Sequence, residues 1–190
     1  MELALYEGGP EVKQGLEAIE LSPLDPSILP TLEGTRLERA AELIRALTRR
    51  GLTLGVAESC TGGLLAKRLT DPPGASKAFY GGVIAYDNSV KREVLGVGRE
   101  TLERYGAVSR QCAEEMAIGV SDLLGTQIAV SITGIAGPSG GSPTKPVGTV
   151  WVGLKVEDRI STLELNLEGD REEIREDAAE LVLYLIRREI

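Results

Sequence analysis

The sequence contains no histidine in its 190 residues, and this absence excludes several common kinds of active site. A Ser-His-Asp triad, a Cys-His dyad and a zinc site with histidine ligands all need an imidazole. If the chain uses a serine, threonine or cysteine nucleophile, its base must therefore be a lysine, a carboxylate, a tyrosine or a group of the substrate.

Cysteine and positive charge are also scarce. The two cysteines, Cys60 and Cys112, give no sign of a disulfide framework, and we expect both thiols to be reduced. The 21 Lys and Arg residues against 29 Asp and Glu residues give a formal net charge of −8. Nucleic-acid binding depends on clustered positive charge, so we expect no nucleic-acid partner.

The chain has no long hydrophobic run. No apolar stretch approaches the roughly 20 residues that cross a bilayer, and Met1 to Ala18 lacks the basic start and apolar centre of a signal peptide. We therefore expect a cytoplasmic protein with no membrane partner. With 42% apolar residues, a chain of 190 residues can bury one good core, which predicts one main domain.

Residues 1–34 show no clear periodicity, and we interpret them as a weakly structured N-terminal extension or linker. Their closely spaced prolines, Pro23, Pro26 and Pro30, exclude a continuous helix between Leu21 and Leu29. The alternative is a small strand or a short helix that packs on the main body through Leu3, Leu5, Val12, Leu16 and Ile19. The main domain is predicted to span residues 35–190.

Helical and strand patterns alternate from residue 35 onward. Thr35 to Glu38 matches a capping box and Gly51 is a helix stop, which together predict a helix over Arg36 to Arg50. Further helices are predicted at about Gly62–Leu69, Val90–Leu95, Thr101–Tyr105 and Ser109–Leu124, and from Asp170 onward. Strands are predicted at Leu52–Ala57, Phe79–Tyr86 and Gln127–Ile132, with a hairpin at Thr149–Val156 and Ile160–Leu167. This order predicts a three-layer α/β/α fold with a mixed sheet.

Three polar, glycine-containing or turn-forming loops each follow a predicted strand: Glu58 to Gly63, Tyr86 to Lys91, and Thr133 to Gly148. Ligands of open α/β sheets bind beyond the carboxyl ends of the strands, so the three loops are expected to converge on one crevice. Considered singly, each loop could equally be ordinary turn chemistry.

The first loop offers three possible nucleophiles, Ser59, Cys60 and Thr61. Cys60 has the most nucleophilic group, but no histidine is present to hold it as a thiolate, and a small buried cysteine is the commoner role. Thr61 could equally cap the following helix. We therefore favour Ser59, with the backbone N–H groups of Thr61, Gly62 and Gly63 at the helix start as an oxyanion hole or a phosphate site.

Without histidine, the base is sought first among the six lysines: Lys13, Lys67, Lys77, Lys91, Lys145 and Lys155. Lys91 closes the loop after a strand that should neighbour the strand before Ser59, so it has the right topological position. To act near neutral pH, its pKa must fall by about three units from about 10.4, which requires burial or nearby positive charge. The alternative is an ordinary surface lysine.

Five motifs carry a family resemblance: Ala57 to Gly63, Gly106 to Ser109, Thr133 to Pro138, Lys145 to Val150, and Gly169 to Arg171. Together and in this order, they resemble the CinA C-terminal family, the nicotinamide mononucleotide amidohydrolases. The resemblance extends from about Leu52 to the C-terminus. In many relatives the domain follows a larger region similar to molybdopterin-binding domains, which residues 1–34 do not resemble. We expect either a stand-alone enzyme with an N-terminal extension or part of a longer protein.

The resemblance implies hydrolysis of the carboxamide of nicotinamide mononucleotide to nicotinate mononucleotide and ammonia, as in pyridine-nucleotide salvage. The serine-lysine dyad of the family falls on Ser59 and Lys91, and the scheme needs no metal or cofactor. We expect Tyr86 and Asn88 to orient Lys91 or the nicotinamide. A homodimer is also expected.

Three further residues have expected roles on the phosphate side. Thr133 and Gly134 begin a loop that should border the ribose and phosphate, and Arg171 should bind the phosphate or pair with a carboxylate. Two other functions stay open: a non-catalytic nucleotide-binding or assembly domain of a competence-damage-inducible type of protein, and an amidase for another substrate.

Overall fold

A mixed sheet of six strands lies at the centre of the structure, a computed structural model that describes residues 15–190. The strands are β1 (Glu17–Ala18), β2 (Leu54–Glu58), β3 (Phe79–Ile84), β4 (Ile128–Gly134), β5 (Thr149–Val156) and β6 (Arg159–Asn166). Their order across the sheet is β1-β6-β5-β4-β2-β3. β2 runs parallel to β3 and β4, β5 runs antiparallel to β4 and β6, and β1 runs parallel to β6.

Helices cover both faces of this sheet, which confirms the predicted three-layer α/β/α fold. They are α1 (Arg36–Arg50), α2 (Leu64–Thr70), α3 (Asn88–Leu95), α4 (Arg99–Arg104), α5 (Arg110–Leu124) and α6 (Arg171–Glu189), with 3-10 turns at Pro26–Thr31 and Ala75–Lys77. A large hydrophobic core joins one face of the sheet to α1, α2 and α6. A smaller core joins the other face to α3, α4 and α5.

Local capping explains where α1, α3, α5 and α6 begin. The predicted capping boxes are present, with Thr35 and Asp170 as the N-caps of α1 and α6. Ser109 caps α5 through the amide of Cys112, as predicted. α3 starts two residues before its predicted first residue because the Asp87 carboxylate accepts a hydrogen bond from the amide of Ser89.

Two glycines allow α5 to lie unusually close to its neighbours. A Cβ atom at Gly153 in β5 would clash with the carbonyl oxygen of Ala113, and one at Gly119 in α5 would clash with the carbonyl oxygen of Leu95. The first contact seats α5 on the sheet, and the second seats the end of α3 on α5. The two close approaches therefore fix the position of α3, which carries Lys91.

The described part of the predicted N-terminal extension packs on the main domain. β1 pairs with β6, and Leu21 and Leu24 are buried in the large core. Arg39 of α1 donates to the carbonyl oxygen of Glu33, and Arg188 of α6 donates to that of Ser22. The suggested contacts of Leu3, Leu5 and Val12 lie outside the described residues, and the domain boundary at residue 35 stays a prediction. Within residues 15–190, no helix is long and apolar enough to cross a membrane.

We predict that Leu21→Ala and Leu24→Ala each lower the free energy of unfolding by about 2 kcal/mol, because each leaves a cavity in the large core. Leu37→Ala is the matched control, since the Leu37 side chain is 51% exposed and its loss should cost less than about 0.5 kcal/mol. Urea denaturation followed by circular dichroism measures both effects. Equal unfolding midpoints for all three variants would contradict the packing of the N-terminal segment.

Candidate active site

The turn between β2 and α2 presents Ser59 at the end of a buried strand. The amide of Ser59 donates to the carbonyl oxygen of Ile132 over 2.8 Å, so the ladder between β2 and β4 continues to this residue. The chain then reverses through Gly62 and Gly63, whose φ angles of 59° and 95° lie in the left-handed region. Glycine adopts this conformation without strain, which explains the pair at this position.

Lys91 lies beside Ser59 in the interior of the protein. Its side chain is only 1% exposed, and its Nζ atom is 3.1 Å from the Oγ atom of Ser59. Nζ also donates to the carbonyl oxygens of Ala85 at 2.6 Å and Tyr86 at 3.1 Å. The structure therefore brings together the serine and the lysine that the sequence predicted as a pair.

Burial lowers the pKa of the Lys91 amine below its ordinary value. The Cys112 thiol, the Asp87 carboxylate and the Cys60 thiol act in the opposite direction, but their effects are smaller. No carboxylate among the described residues forms an ion pair with Lys91. Lys91 therefore loses its proton at a lower pH than a lysine on the protein surface does.

The two carbonyl oxygens also orient the neutral amine. A deprotonated lysine has two N–H bonds and one lone pair. If the N–H bonds point to Ala85 and Tyr86, the lone pair points toward the third neighbour, Ser59. The arrangement can accept the proton of the serine hydroxyl, which is the task of a general base.

The carboxylate of Glu58, for which no role was predicted, lies at the beginning of α2. This side chain is 1% exposed and accepts hydrogen bonds from the amides of Gly63, Leu65 and Ala66 over 3.0, 3.1 and 2.8 Å. The suggested capping role of Thr61 is wrong, because Glu58 supplies the acceptor. The Thr61 hydroxyl is buried without a hydrogen-bond partner in the described part of the chain.

The same hydrogen bonds bear on the predicted oxyanion hole. The amide of Gly63 is taken by Glu58, and that of Gly62 donates to the carbonyl oxygen of Ser59 over 3.1 Å. These two amides are therefore not available to a substrate oxygen in this conformation, which corrects that expectation. The amides of Cys60 and Thr61 form no hydrogen bond to a backbone oxygen of residues 15–190, and both act to lower the pKa of the Cys60 thiol against the larger effect of burial.

Cys60 lies next to Ser59 but is not activated. Burial raises the pKa of the Cys60 thiol to about 12, and the charge of Glu58 acts in the same direction. Burial likewise raises the pKa of Cys112 to about 12. Both thiols are free and neutral near pH 7, so Cys60 fits the expected role of a packing residue.

Tyr86 and Arg171 are joined at the surface beside this buried pair. Arg171 donates through Nη2 to the Tyr86 hydroxyl over 3.1 Å and through Nη1 to the carbonyl oxygen of Gly137 over 2.7 Å. Tyr86 thus contacts Arg171 with its hydroxyl and Lys91 with its carbonyl group. Asn88, the first residue of α3, is exposed to solvent.

Thr133 and Gly134 shape the sheet end and do not present free polar groups. The Thr133 hydroxyl is buried and donates to the carbonyl oxygen of Ala107 over 2.8 Å. Gly134 lies so close to β5 that a Cβ atom would be 2.8 Å from the carbonyl oxygen of Thr149. If this part of the chain contacts the ribose and phosphate, as expected, the loop after Gly134 must supply the contacts.

A cleft of about 550 Å³ opens between α2, this loop and the start of α6. Its lining consists of Leu64, Ala136, Pro138, Val147, Gly169, Asp170, Arg171, Glu172, Arg175 and Glu176. Arg175 was not predicted, although it follows Arg171 by one helical turn and so shares its face. Its Nη2 donates to the carbonyl oxygen of Thr61 over 2.9 Å, while its buried Nε has no partner in the described part of the chain.

The cleft thus carries two guanidinium groups, which can bind an anion such as a phosphate, together with the carboxylates of Asp170, Glu172 and Glu176. Ser59 and Lys91 do not line this cleft, but its arginines contact their neighbours. Arg175 donates to the carbonyl oxygen of Thr61, and Arg171 donates to the hydroxyl of Tyr86, whose carbonyl oxygen accepts from Lys91. Among residues 15–190, no cluster of three or more cysteine or acidic side chains could hold a metal ion.

Comparison with known proteins places this geometry in a family. The model of the CinA C-terminal domain matches residues 37–190. A CinA-like protein of Dictyoglomus thermophilum is 53% identical over 133 residues, which are 70% of this chain and 32% of the relative. A CinA-like protein of Thermotoga neapolitana is 48% identical over 160 residues, or 84% of this chain and 39% of the relative. The chain thus spans about a third of the length of these curated relatives.

Solved structures show the same fold. The competence/damage inducible protein CihA from Agrobacterium tumefaciens superposes with a TM-score of 0.79 at 41% identity, over 83% of this chain and 96% of that one. A CinA superfamily protein from Klebsiella pneumoniae superposes with a TM-score of 0.79 at 36% identity, over 82% and 98% of the two chains. The chain belongs to the CinA C-terminal domain family.

Proposed function

We propose that this domain hydrolyses the carboxamide of nicotinamide mononucleotide, releasing ammonia and nicotinate mononucleotide. The single observation that carries the proposal is the buried contact of 3.1 Å between Lys91 Nζ and Ser59 Oγ. Membership of the CinA C-terminal domain family and the resemblance of its motifs to nicotinamide mononucleotide amidohydrolases support this substrate.

Acylation begins with neutral Lys91. Its lone pair takes the proton of the Ser59 hydroxyl while Oγ forms a bond to the carboxamide carbon, and the carbonyl π electrons move to the oxygen. The tetrahedral intermediate collapses when the Lys91 ammonium returns the proton to the amide nitrogen. Ammonia leaves, and the nicotinoyl group stays on Ser59 as an ester.

Deacylation repeats the sequence with water. Lys91, neutral again, takes a proton from a water molecule that attacks the ester carbon. The bond to Ser59 Oγ breaks, and Lys91 gives the proton to that oxygen. The product acid then ionises in solvent, and the enzyme returns to its starting state.

Two other parts of the site fit the charges of this reaction. The amides of Cys60 and Thr61 are the donors of the turn that could hold the developing oxyanion, since those of Gly62 and Gly63 are occupied. Arg171 and Arg175 border the cleft of about 550 Å³ and would hold the phosphate. Tyr86 would fix the position of Arg171 through its hydroxyl group.

We predict that the purified protein releases ammonia from nicotinamide mononucleotide, and that Ser59→Ala and Lys91→Met each lower kcat by at least about 1000-fold. Loss of the nucleophile stops covalent catalysis, and loss of the amine leaves the hydroxyl without a base. Ammonia is measured with a coupled glutamate dehydrogenase assay. Cys60→Ala is the matched control in the same turn and should retain activity, because the Cys60 thiol is neutral.

The variants separate the possible outcomes. Activity retained by Ser59→Ala but lost by Cys60→Ala would transfer the nucleophile to the thiol. If the wild-type protein releases no ammonia from this substrate over a range of pH and temperature, the proposed function is wrong.

We also predict that kcat/KM rises with pH through the lowered pKa of Lys91 and then reaches a plateau. The base must be unprotonated, and its pKa lies below the ordinary lysine value of about 10.4 because the amine is buried. Initial rates measured from about pH 6 to about pH 10 test the profile. A rate that is independent of pH, or that rises only near the ordinary lysine value, would contradict the role of Lys91. Lys91→Arg should be inactive throughout, because guanidinium stays charged.

A further inference from the structure

Glu58 and Ser59 are neighbours at the end of β2, and their side chains point to opposite faces of the sheet. Val56 lies in the large core on the side of α2, while Ala57 lies in the smaller core on the side of α3. By alternation, Glu58 faces α2 and Ser59 faces α3. The contacts agree, since Glu58 binds the amides of α2 and Ser59 meets Lys91 of α3.

The carboxylate of Glu58 is an unusual group at this depth. A buried charge is costly unless several hydrogen bonds and an opposite charge compensate for it. Here the three amide donors and the positive end of α2 supply that compensation. None of the described contacts joins the carboxylate to Ser59 or Lys91, so an effect on the reaction must act through the shape of the turn.

We propose that Glu58 is a positioning residue for the nucleophile: its carboxylate ties the end of β2 to the start of α2 and thereby holds the Ser59 hydroxyl against the Lys91 amine. Arg175 holds the same turn from α6 through the carbonyl oxygen of Thr61, and Ile132 holds it from β4. Of the three residues that hold this turn, Glu58 is the one that directly precedes Ser59 in the chain. A change of its carboxyl group therefore moves Ser59 most directly.

The test uses Glu58→Gln and Glu58→Asp in the full chain. The glutamine has the same shape but replaces one of the two acceptor oxygens by an NH₂ group, which then faces an amide that needs an acceptor. The aspartate keeps the charge, but its side chain is one methylene shorter and cannot reach all three amides. Glu114→Gln is the matched control, because Glu114 is also a buried glutamate and lies on α5, away from α2.

The first readout needs no assumption about the substrate. A serine-directed sulfonyl fluoride is incubated with each protein, and mass spectrometry follows its attachment to Ser59. We expect the labelling rate to fall about 10- to 100-fold in Glu58→Gln, the range produced by a misplacement of about 1 Å. Glu58→Asp should fall between this variant and the wild type, and Glu114→Gln should label at the wild-type rate.

The second readout rests on the proposed function and separates positioning from a merely structural role. In ammonia release, kcat of Glu58→Gln should fall about 10- to 100-fold while KM and the pH midpoint stay unchanged, because Lys91 and the phosphate side are intact. Rates are normalised to the folded fraction measured by circular dichroism. If Glu58→Gln does not fold, Glu58→Asp decides.

Two outcomes overturn different statements. Wild-type labelling rates per folded molecule in both Glu58 variants would overturn the positioning role, whatever the substrate. Slow labelling in these variants, with no release of ammonia from nicotinamide mononucleotide by the wild type, would leave the positioning role standing and refute the proposed function.

Discussion

The burial of one amine is the constraint on which the site depends. Lys91 is enclosed between the sheet and α5, and its two backbone carbonyl partners lie at the end of β3 just before α3 begins. Neutral carbonyl groups satisfy N–H bonds without fixing a positive charge as firmly as a carboxylate would. The amine therefore keeps an acceptor position for Ser59, in a chain that has no histidine for this purpose.

The two faces of the sheet contribute different parts of this arrangement. On one face, Glu58 and Arg175 hold the turn after β2 by bonds to α2 and α6. On the other face, the glycine contacts of α5 place α3 and its lysine. Ser59 and Lys91 meet where these two independent sets of contacts come together, so the distance between their side chains depends on the packing of both layers.

Much of the fold was predictable because its signals are local. The capping residues Thr35, Ser109 and Asp170 lie within a few residues of the amides they bind, so the sequence locates the helix starts directly. Strand order and the missing histidines favoured the pair Ser59 and Lys91, and the family resemblance implied the same pair. By contrast, the contacts of Glu58 depend on how the start of α2 is oriented relative to the end of β2. The number of residues between the two elements does not determine that orientation.

The other differences between prediction and structure also concern contacts that only the three-dimensional fold determines. Two glycines at a helix start are typical of an oxyanion hole. The amides of Gly62 and Gly63 nevertheless bind other acceptors, because the fold brings those acceptors close to them. Arg175 is distant in sequence from Thr61 and meets it only because α6 packs beside α2. The short strand β1 could be predicted only as an alternative to a linker, because two residues are too few to show alternation.

The lowered pKa of Lys91 also has a thermodynamic consequence that distinguishes it from a structural lysine. Between this lowered pKa and the ordinary value in the unfolded chain, the unfolded state binds the extra proton, so stability rises with pH across that interval. Below the lowered pKa, the native state must hold a buried ammonium group, and its unfavourable contribution to the free energy of unfolding is fully present. A lysine that weakens the fold at and below neutral pH, and that forms no ion pair with a carboxylate of the described chain, fits the proposed catalytic role better than a structural one.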